Sequence, residues 1–335
     1  MAGDTFVFFY NRILDFTAVF STIINVITLT VVLRRTPRSM RNFSKLIVNI
    51  IAWNFAGNFV CAFGHPYPMF PAMCFRLDGI VSHFKSEIFG HIVIMFLLLV
   101  VTNVGFGIFL SFHFRYMAIA KSTELSQINR IWGYVYCLSV HVIFSMAYFV
   151  MYYYWTIPVK DYPLQDELPD EESLVCFHPN GIRKTVIVAV YTTFIVFVAV
   201  SIVVFLILSF VRLKKNRKFV SQRTLKTQKV LLVNLTVLTA IPLLLGGLPF
   251  FIAVLTIYNS DWQNSGVICA FCILILLNHG PIMCITMLSM FKHYRLSLKQ
   301  LALKAIGKSA NVRTAHVTLF SKVSYIPRSN KTVMY

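Results

Sequence analysis

TVIVAVYTTFIVFVAVSIVVFLILSFV, Thr185–Val211, decides the fold. Its Val, Ile and Thr favour strands, yet the whole stretch carries no Asp, Glu, Lys or Arg. As a helix rising 1.5 Å per residue, a segment of this length crosses the ~30 Å hydrocarbon core of a bilayer. A lone strand there would leave its N–H and C=O groups unpaired in lipid, so length overrides propensity and the segment reads as a membrane helix. The apolar residues are continuous rather than alternating, which excludes a membrane β-barrel.

Six further charge-free runs surround it: Phe16–Leu33, Leu46–Phe63, Ile88–Phe112, Ile131–Ile157, Val230–Ile257 and Gly266–Phe291. Each approaches or exceeds the ~20 residues a crossing needs. With their polar ends, the predicted spans are 8–33, 44–64, 86–113, 131–157, 184–211, 229–258 and 264–291. The expected fold is therefore an all-α membrane protein, a seven-transmembrane helix bundle over residues 1–295 with a tail over 296–335. Composition agrees: 57% of the 335 residues are hydrophobic and only 13% charged, against about 25% charged in a soluble domain.

The net charge of +19 would suit nucleic acid, but its distribution excludes that partner and points to a lipid bilayer. Arg34, Arg35, Arg38, Arg41 and Lys45 follow span 1; Arg115, Lys121 and Arg130 follow span 3. Eight more lie between Arg212 and Lys229, and nine between Lys292 and Lys331. Of the 31 Lys and Arg, 25 thus fall on one side, with only Glu124 of the 12 acids. The other side carries KDYPLQDELPDEES, residues 160–173. The positive-inside rule places the N-terminus outside the cell and the C-terminus in the cytosol. The start, MAGDTFVFFYNRILDF, lacks a basic n-region, so span 1 is expected to serve as a signal-anchor. The sequons at Asn42, Asn234 and Asn330 then fall in the cytosol or the membrane and escape glycosylation.

Of seven cysteines, only Cys74 and Cys176 lie outside the membrane, both on the oxidising side, and they are expected to pair. Arg12 and Asp15, spaced i, i+3, are expected to pair at the outer end of span 1. No acid sits in the middle of a span, and His91, His141 and His279 stand on different helices without HExxH spacing. Metal-dependent or other enzymatic chemistry and a cofactor are thus not expected, nor is an ion-coupled transporter. Asn25, Asn49, Asn54, Asn58, Asn103, Asn234 and Asn278 are expected to fasten the bundle by interhelical hydrogen bonds.

Helix breakers are concentrated in spans 6 and 7. IPLLLGGLPFF holds Pro242, Gly246, Gly247 and Pro249, predicting a kinked, hinge-like segment, and Gly280-Pro281 predicts a break in span 7. After span 7, Leu298, Leu301, Ala302, Ala305 and Ile306 form one stripe, with Lys299, Lys304 and Lys308 off it. That predicts an amphipathic helix at about 296–308 on the inner leaflet, followed by a Ser/Thr/Lys-rich tail.

Several stretches carry a family resemblance: TPRSMRNFSKLIVN after span 1, HPYPMFP after span 2, FRYMAI after span 3, RTLKTQKVLLVNLTVLTAIP entering span 6 and HGPIMCITMLSMFKHYR closing span 7. In this order and spacing the chain resembles the nematode serpentine chemoreceptors of the Str superfamily. HPYPMFP leans toward the Srh and Sri families and FRYMAI toward Str and Srd, leaving the subfamily open. The resemblance implies a chemosensory G-protein-coupled receptor in the plasma membrane, in sensory-neuron cilia, that binds an odorant or pheromone-like small molecule and activates a heterotrimeric G protein. It implies no cofactor, and a homo- or heterodimer is compatible with it. Asn25 and Pro249 match the rhodopsin-like pattern, whereas the span-2 acid is missing and His113-Phe114 stands where an acid would precede Arg115. A sodium site and an acid–Arg lock lose their residues.

By depth, His91, Tyr191, Phe250 and Phe251, with Asn278 deeper, are the expected ligand contacts among spans 3, 5, 6 and 7. So few charges favour a neutral, apolar ligand. Arg115, Tyr116, Lys226 and Lys229 are expected to meet the G protein, and Pro242, Gly246, Gly247, Pro249 and Pro281 to supply the hinges. The alternatives are a facilitative channel or transporter and a ligandless seven-helix protein.

Overall fold

A computed structural model of the chain describes residues 2–37, 40–121, 124, 127–164, 166, 168, 174–216 and 222–305. Among these, seven helices are long and apolar enough to cross a membrane. Span 1 is Ala2–Arg35, span 2 Arg41–Gly64, span 3 Glu87–Ala120, span 4 Arg130–Trp155, span 5 Ile182–Lys215 and span 7 Ser265–Met290. Span 6 is composite: helix Gln222–Ile241, a π-helical turn Pro242–Gly247, then helix Leu248–Tyr258. Thr185–Val211 lies wholly within a helix, as its length requires.

Local signals set the helix ends. Ser86 Oγ accepts from the Phe89 N–H at the start of span 3, and Asn129 Oδ1 accepts from the Ile131 N–H at the start of span 4. Arg34 and Arg35 end span 1, and Arg212, Lys214 and Lys215 end span 5, where cations complement the helix dipole. Arg12 and Asp15 pair at 3.7 Å, and Asp15 also lies 3.2 Å from His65 Nε2.

The π-helical turn follows from Pro242 and Pro249, each of which lacks an N–H and crowds the carbonyl one turn earlier. Span 7 corrects the expected break at Pro281. The helix runs through it from Ser265 to Met290, because Pro281 removes one hydrogen bond and neighbouring helices support the rest. The adjoining Gly280 packs so closely that a Cβ there would stand 3.2 Å from Asn54 Cβ.

The helical bundle is as expected, and a small sheet outside the spans adds to it. β1 (Pro66–Pro68), β2 (Cys74–Leu77) and β3 (Leu174–Cys176) form an antiparallel sheet in that order. Strands this short give no readable alternation, and β3 lies far along the chain from β2. Cys74 faces Cys176 across the β2–β3 register, and their sulfurs are bonded at 2.00 Å.

Two apolar cores stack along the bundle. One gathers Met73, Phe177, Trp155 and Tyr191 beneath the sheet; the other gathers Ile51, Phe112, Met287 and Tyr294 toward the far end. Polar ties cross between them. Ser21 Oγ accepts from Asn25 Nδ2 (2.9 Å) and Asn58 Nδ2 (2.5 Å), joining spans 1 and 2. Asn49 Nδ2 donates to His141 Nε2 (3.1 Å), His141 Nδ1 donates to Asn103 Oδ1 (2.5 Å), and Asn103 Nδ2 donates to Ser145 Oγ (3.1 Å). Large apolar side chains such as Phe16, Leu138, Tyr153 and Val200 face outward, as lipid contact demands.

The helix after span 7 covers Lys292–Ala305, starting earlier than 296. Tyr294 and Ser297 are buried against the bundle; of the expected stripe, Leu298 is half-buried and Leu301 and Ala302 are exposed. Ile306, Lys308, the rest of the tail with Asn330, Arg217 and Lys218 lie outside the described residues.

Candidate functional site

A cavity of about 200 Å³ lies among spans 2, 3, 5, 6 and 7. Its roof is aromatic: Phe75 on β2, Trp155 at the end of span 4 and Phe177 just after β3. Phe177 stacks on Trp155 with centroids 4.2 Å apart and meets Phe75 edge-on at 6.2 Å. The Cys74–Cys176 bond joins the two strands that carry this roof. Span 6 contributes Pro242, Gly246 and Gly247, so the π-helical turn is itself a wall.

Among the described residues no charged side chain lines the cavity. Its polar side-chain groups are Asn54, Asn58, His279, the indole N–H of Trp155 and the thiols of Cys61, Cys269 and Cys272. Asn54 Nδ2 donates to the Ile50 carbonyl at 3.1 Å, and Asn58 Nδ2 to Ser21. Above the roof, burial and the nearby Arg183 charge hold His178 below the usual imidazole range.

Of the five expected ligand contacts, Phe250 lines the cavity and four stand outside its lining. His91 sits above Phe177, 5.7 Å between centroids, with Nδ1 3.1 Å from the Tyr152 hydroxyl and Nε2 3.7 Å from Glu87. Tyr191 packs edge-on behind Phe250 at 5.3 Å. Phe251 is half-buried on another side of span 6. Asn278 turns toward span 1, donating to the Leu274 carbonyl at 2.8 Å and standing 3.5 Å from Thr17 Oγ1. Sequence depth does not fix azimuth: one residue along a helix rotates the side chain by about 100°. The step from Asn278 to His279 therefore changes the face.

Span 2 was missed as a wall. Asn54, Gly57, Asn58 and Cys61 all line the cavity. Their i, i+3, i+4, i+7 spacing marks one helix face of small and polar residues, a signal present in the sequence.

At the end of span 3 far from the sheet, Arg115 is buried, 9% exposed, and its Nη2 donates to the Gln228 carbonyl of span 6 at 2.8 Å. Arg115 Nε is buried without a partner. Among the described residues no carboxylate takes part; His113 packs instead among Phe109, Tyr136 and Phe205. Tyr116 lies against Phe205 of span 5 at 5.8 Å, and Lys226 and Lys229 are exposed. Among the hinge candidates, Pro242, Gly246, Pro249 and Pro281 are buried, with Gly247 half-buried.

No curated protein matches the chain. Residues 7–304 match a receptor family model, described as the serpentine type seven-transmembrane G-protein-coupled chemoreceptor Srh. That match resolves the choice left open between HPYPMFP and FRYMAI in favour of the former. The chain therefore belongs to the Srh family of serpentine seven-transmembrane chemoreceptors, a multi-pass membrane protein of receptors rather than enzymes.

Proposed function

We propose that this chemoreceptor detects a small, neutral, mostly apolar molecule in the cavity and signals through a heterotrimeric G protein at its basic face. The N-terminus lies outside and the tail in the cytosol, in the plasma membrane of a sensory-neuron cilium. The observation that carries the proposal is an uncharged cavity walled partly by the π-helical turn of span 6. A charged ligand would have to be desolvated there without a counter-ion. The volume of about 200 Å³ suits a molecule somewhat larger than benzene, which fills an apolar cavity of about 150 Å³.

A ligand that prefers one arrangement of the turn shifts span 6 between closed and open states. In the closed state Arg115 holds the inner half of span 6 through the Gln228 carbonyl. In the open state Arg115, Tyr116, Lys226 and Lys229 meet the G protein. The test is expression with a promiscuous Gα subunit and a calcium readout against a panel of small volatile compounds. Active compounds should lose their effect in Leu98→Trp, which fills the cavity, at unchanged surface expression. Ligand-evoked flux in vesicles lacking G protein would instead mark a facilitative channel, and full responses in Leu98→Trp would exclude the cavity.

A further inference from the structure

We infer that His279 selects the ligand by hydrogen-bond type: its Nε2 accepts from one O–H or N–H group on an otherwise apolar molecule. This rests on the cavity being the ligand site. His279 lines the cavity and is 8% exposed. Its Nδ1 meets the backbone carbonyl of Leu276 within its own helix. A carbonyl oxygen can only accept, so Nδ1 carries the proton and donates. In the neutral ring Nε2 is then a lone-pair acceptor, and it is buried with no partner. No Asp or Glu within the span interiors stands by to support a charged imidazolium.

Buried polar side-chain atoms without partners are uncommon and unfavourable. The two asparagines of the cavity differ. Asn54 and Asn58 each donate to a protein acceptor, so the protein already holds their orientation. Two side-chain atoms of cavity-lining residues are buried unpaired among the described residues, Trp155 Nε1 and His279 Nε2; the indole N–H can only donate, so His279 Nε2 is the unpaired acceptor of the two.

The ring also touches the hinge. A Cβ built on Gly246 would stand 3.4 Å from His279 Nδ1 and 3.5 Å from Cγ, so glycine lets the π-helical turn lie against the imidazole. A ligand that bonds to Nε2 is thus fixed one ring away from the segment on which span 6 pivots. The favoured class is a small alcohol, phenol or N–H compound; ethers and hydrocarbons of the same shape leave Nε2 unpaired.

The test measures affinities of the full-length receptor in lipid nanodiscs for size-matched trios: benzyl alcohol, anisole and ethylbenzene; 1-hexanol, methyl pentyl ether and heptane. At least one alcohol should bind about tenfold more tightly than both its partners, equivalent to ~1.4 kcal/mol. In His279→Phe the preference should vanish while hydrocarbon binding persists, and His279→Gln, which keeps an acceptor oxygen, should retain part of it. Thermal unfolding of both variants establishes that they fold.

Equal affinities within each trio, a preference that survives His279→Phe, or no binding by either alcohol would overturn the inference. Leu98→Trp separates the two levels. If it removes binding while His279→Phe leaves the preference intact, the cavity stands and the role of His279 falls. If every compound binds Leu98→Trp unchanged, the cavity proposal itself falls.

Discussion

Replacing Arg115 with Leu removes a guanidinium that is 9% exposed and donates to the Gln228 carbonyl at 2.8 Å. A hydrogen bond from a charged donor contributes about 1.5–3 kcal/mol. Against it stands the buried, unpartnered Nε, whose desolvation costs about 1 kcal/mol or more. The difference favours the closed arrangement by roughly 0.5–2 kcal/mol, or about 2- to 30-fold. Arg115→Leu should raise the ratio of open to closed span 6 by that factor. Pulsed electron-spin distance measurements between labels at Ile131 and Lys226, both exposed, would read the change without any G protein. G-protein activation should nevertheless fall to background, because the cation proposed to meet the G protein has gone, while surface expression is unchanged. An unchanged distance distribution refutes the lock, and a fully active Arg115→Leu receptor refutes the coupling role.

Two further outcomes follow from packing. Gly79→Ala should destabilise the receptor by about 1–3 kcal/mol, because its Cβ would stand 2.2 Å from the Phe63 carbonyl oxygen, which is main chain and has little room to move. Gly133→Ala, with nothing within 4 Å of its Cβ, should instead gain up to about 1 kcal/mol of helix stability; thermal unfolding in nanodiscs compares the two. A double-mutant cycle on Asn103→Ala and His141→Ala, whose side chains meet at 2.5 Å, should give a coupling of about 0.6–2 kcal/mol. Zero coupling would show that this tie does not fasten spans 3 and 4.

The membrane fold was legible because charge exclusion over some twenty residues is a strong, one-dimensional signal. Span ends were displaced by several residues where polar caps extend the helices, as at Lys215 and Ala120. The sheet was not legible, since the sequence does not reveal which short loop segments meet across a distance. The cavity was legible by depth through Phe250 and the Pro–Gly segment. Its azimuth depends on how seven helices rotate against one another, which no single helix encodes when apolar residues surround it on every side. Arg115 illustrates the same boundary. Its position at the foot of span 3 could be read from sequence, but its partner is a backbone carbonyl, and every residue of span 6 offers one.

That partner has a mechanical consequence. Gln228 lies 14 residues before Pro242, where the π-helical turn begins, so it rides on a lever of about 21 Å at 1.5 Å per residue. Lengthening the 2.8 Å bond to Gln228 by about 1 Å takes it beyond useful hydrogen-bond range. On this lever that requires a rotation of only about 3° at the turn. A π-helical turn flanked by two prolines yields by that amount more readily than regular helix, because its hydrogen-bond ladder is already interrupted. His279 lies against that same turn at Gly246. On the proposed mechanism a small ligand need not drive a large motion itself: a sub-ångström displacement of the turn would suffice to free Arg115. The sensitivity also runs in reverse, since a G protein that captures Arg115 and pulls on span 6 would reshape the cavity wall and tighten ligand binding by the same coupling free energy.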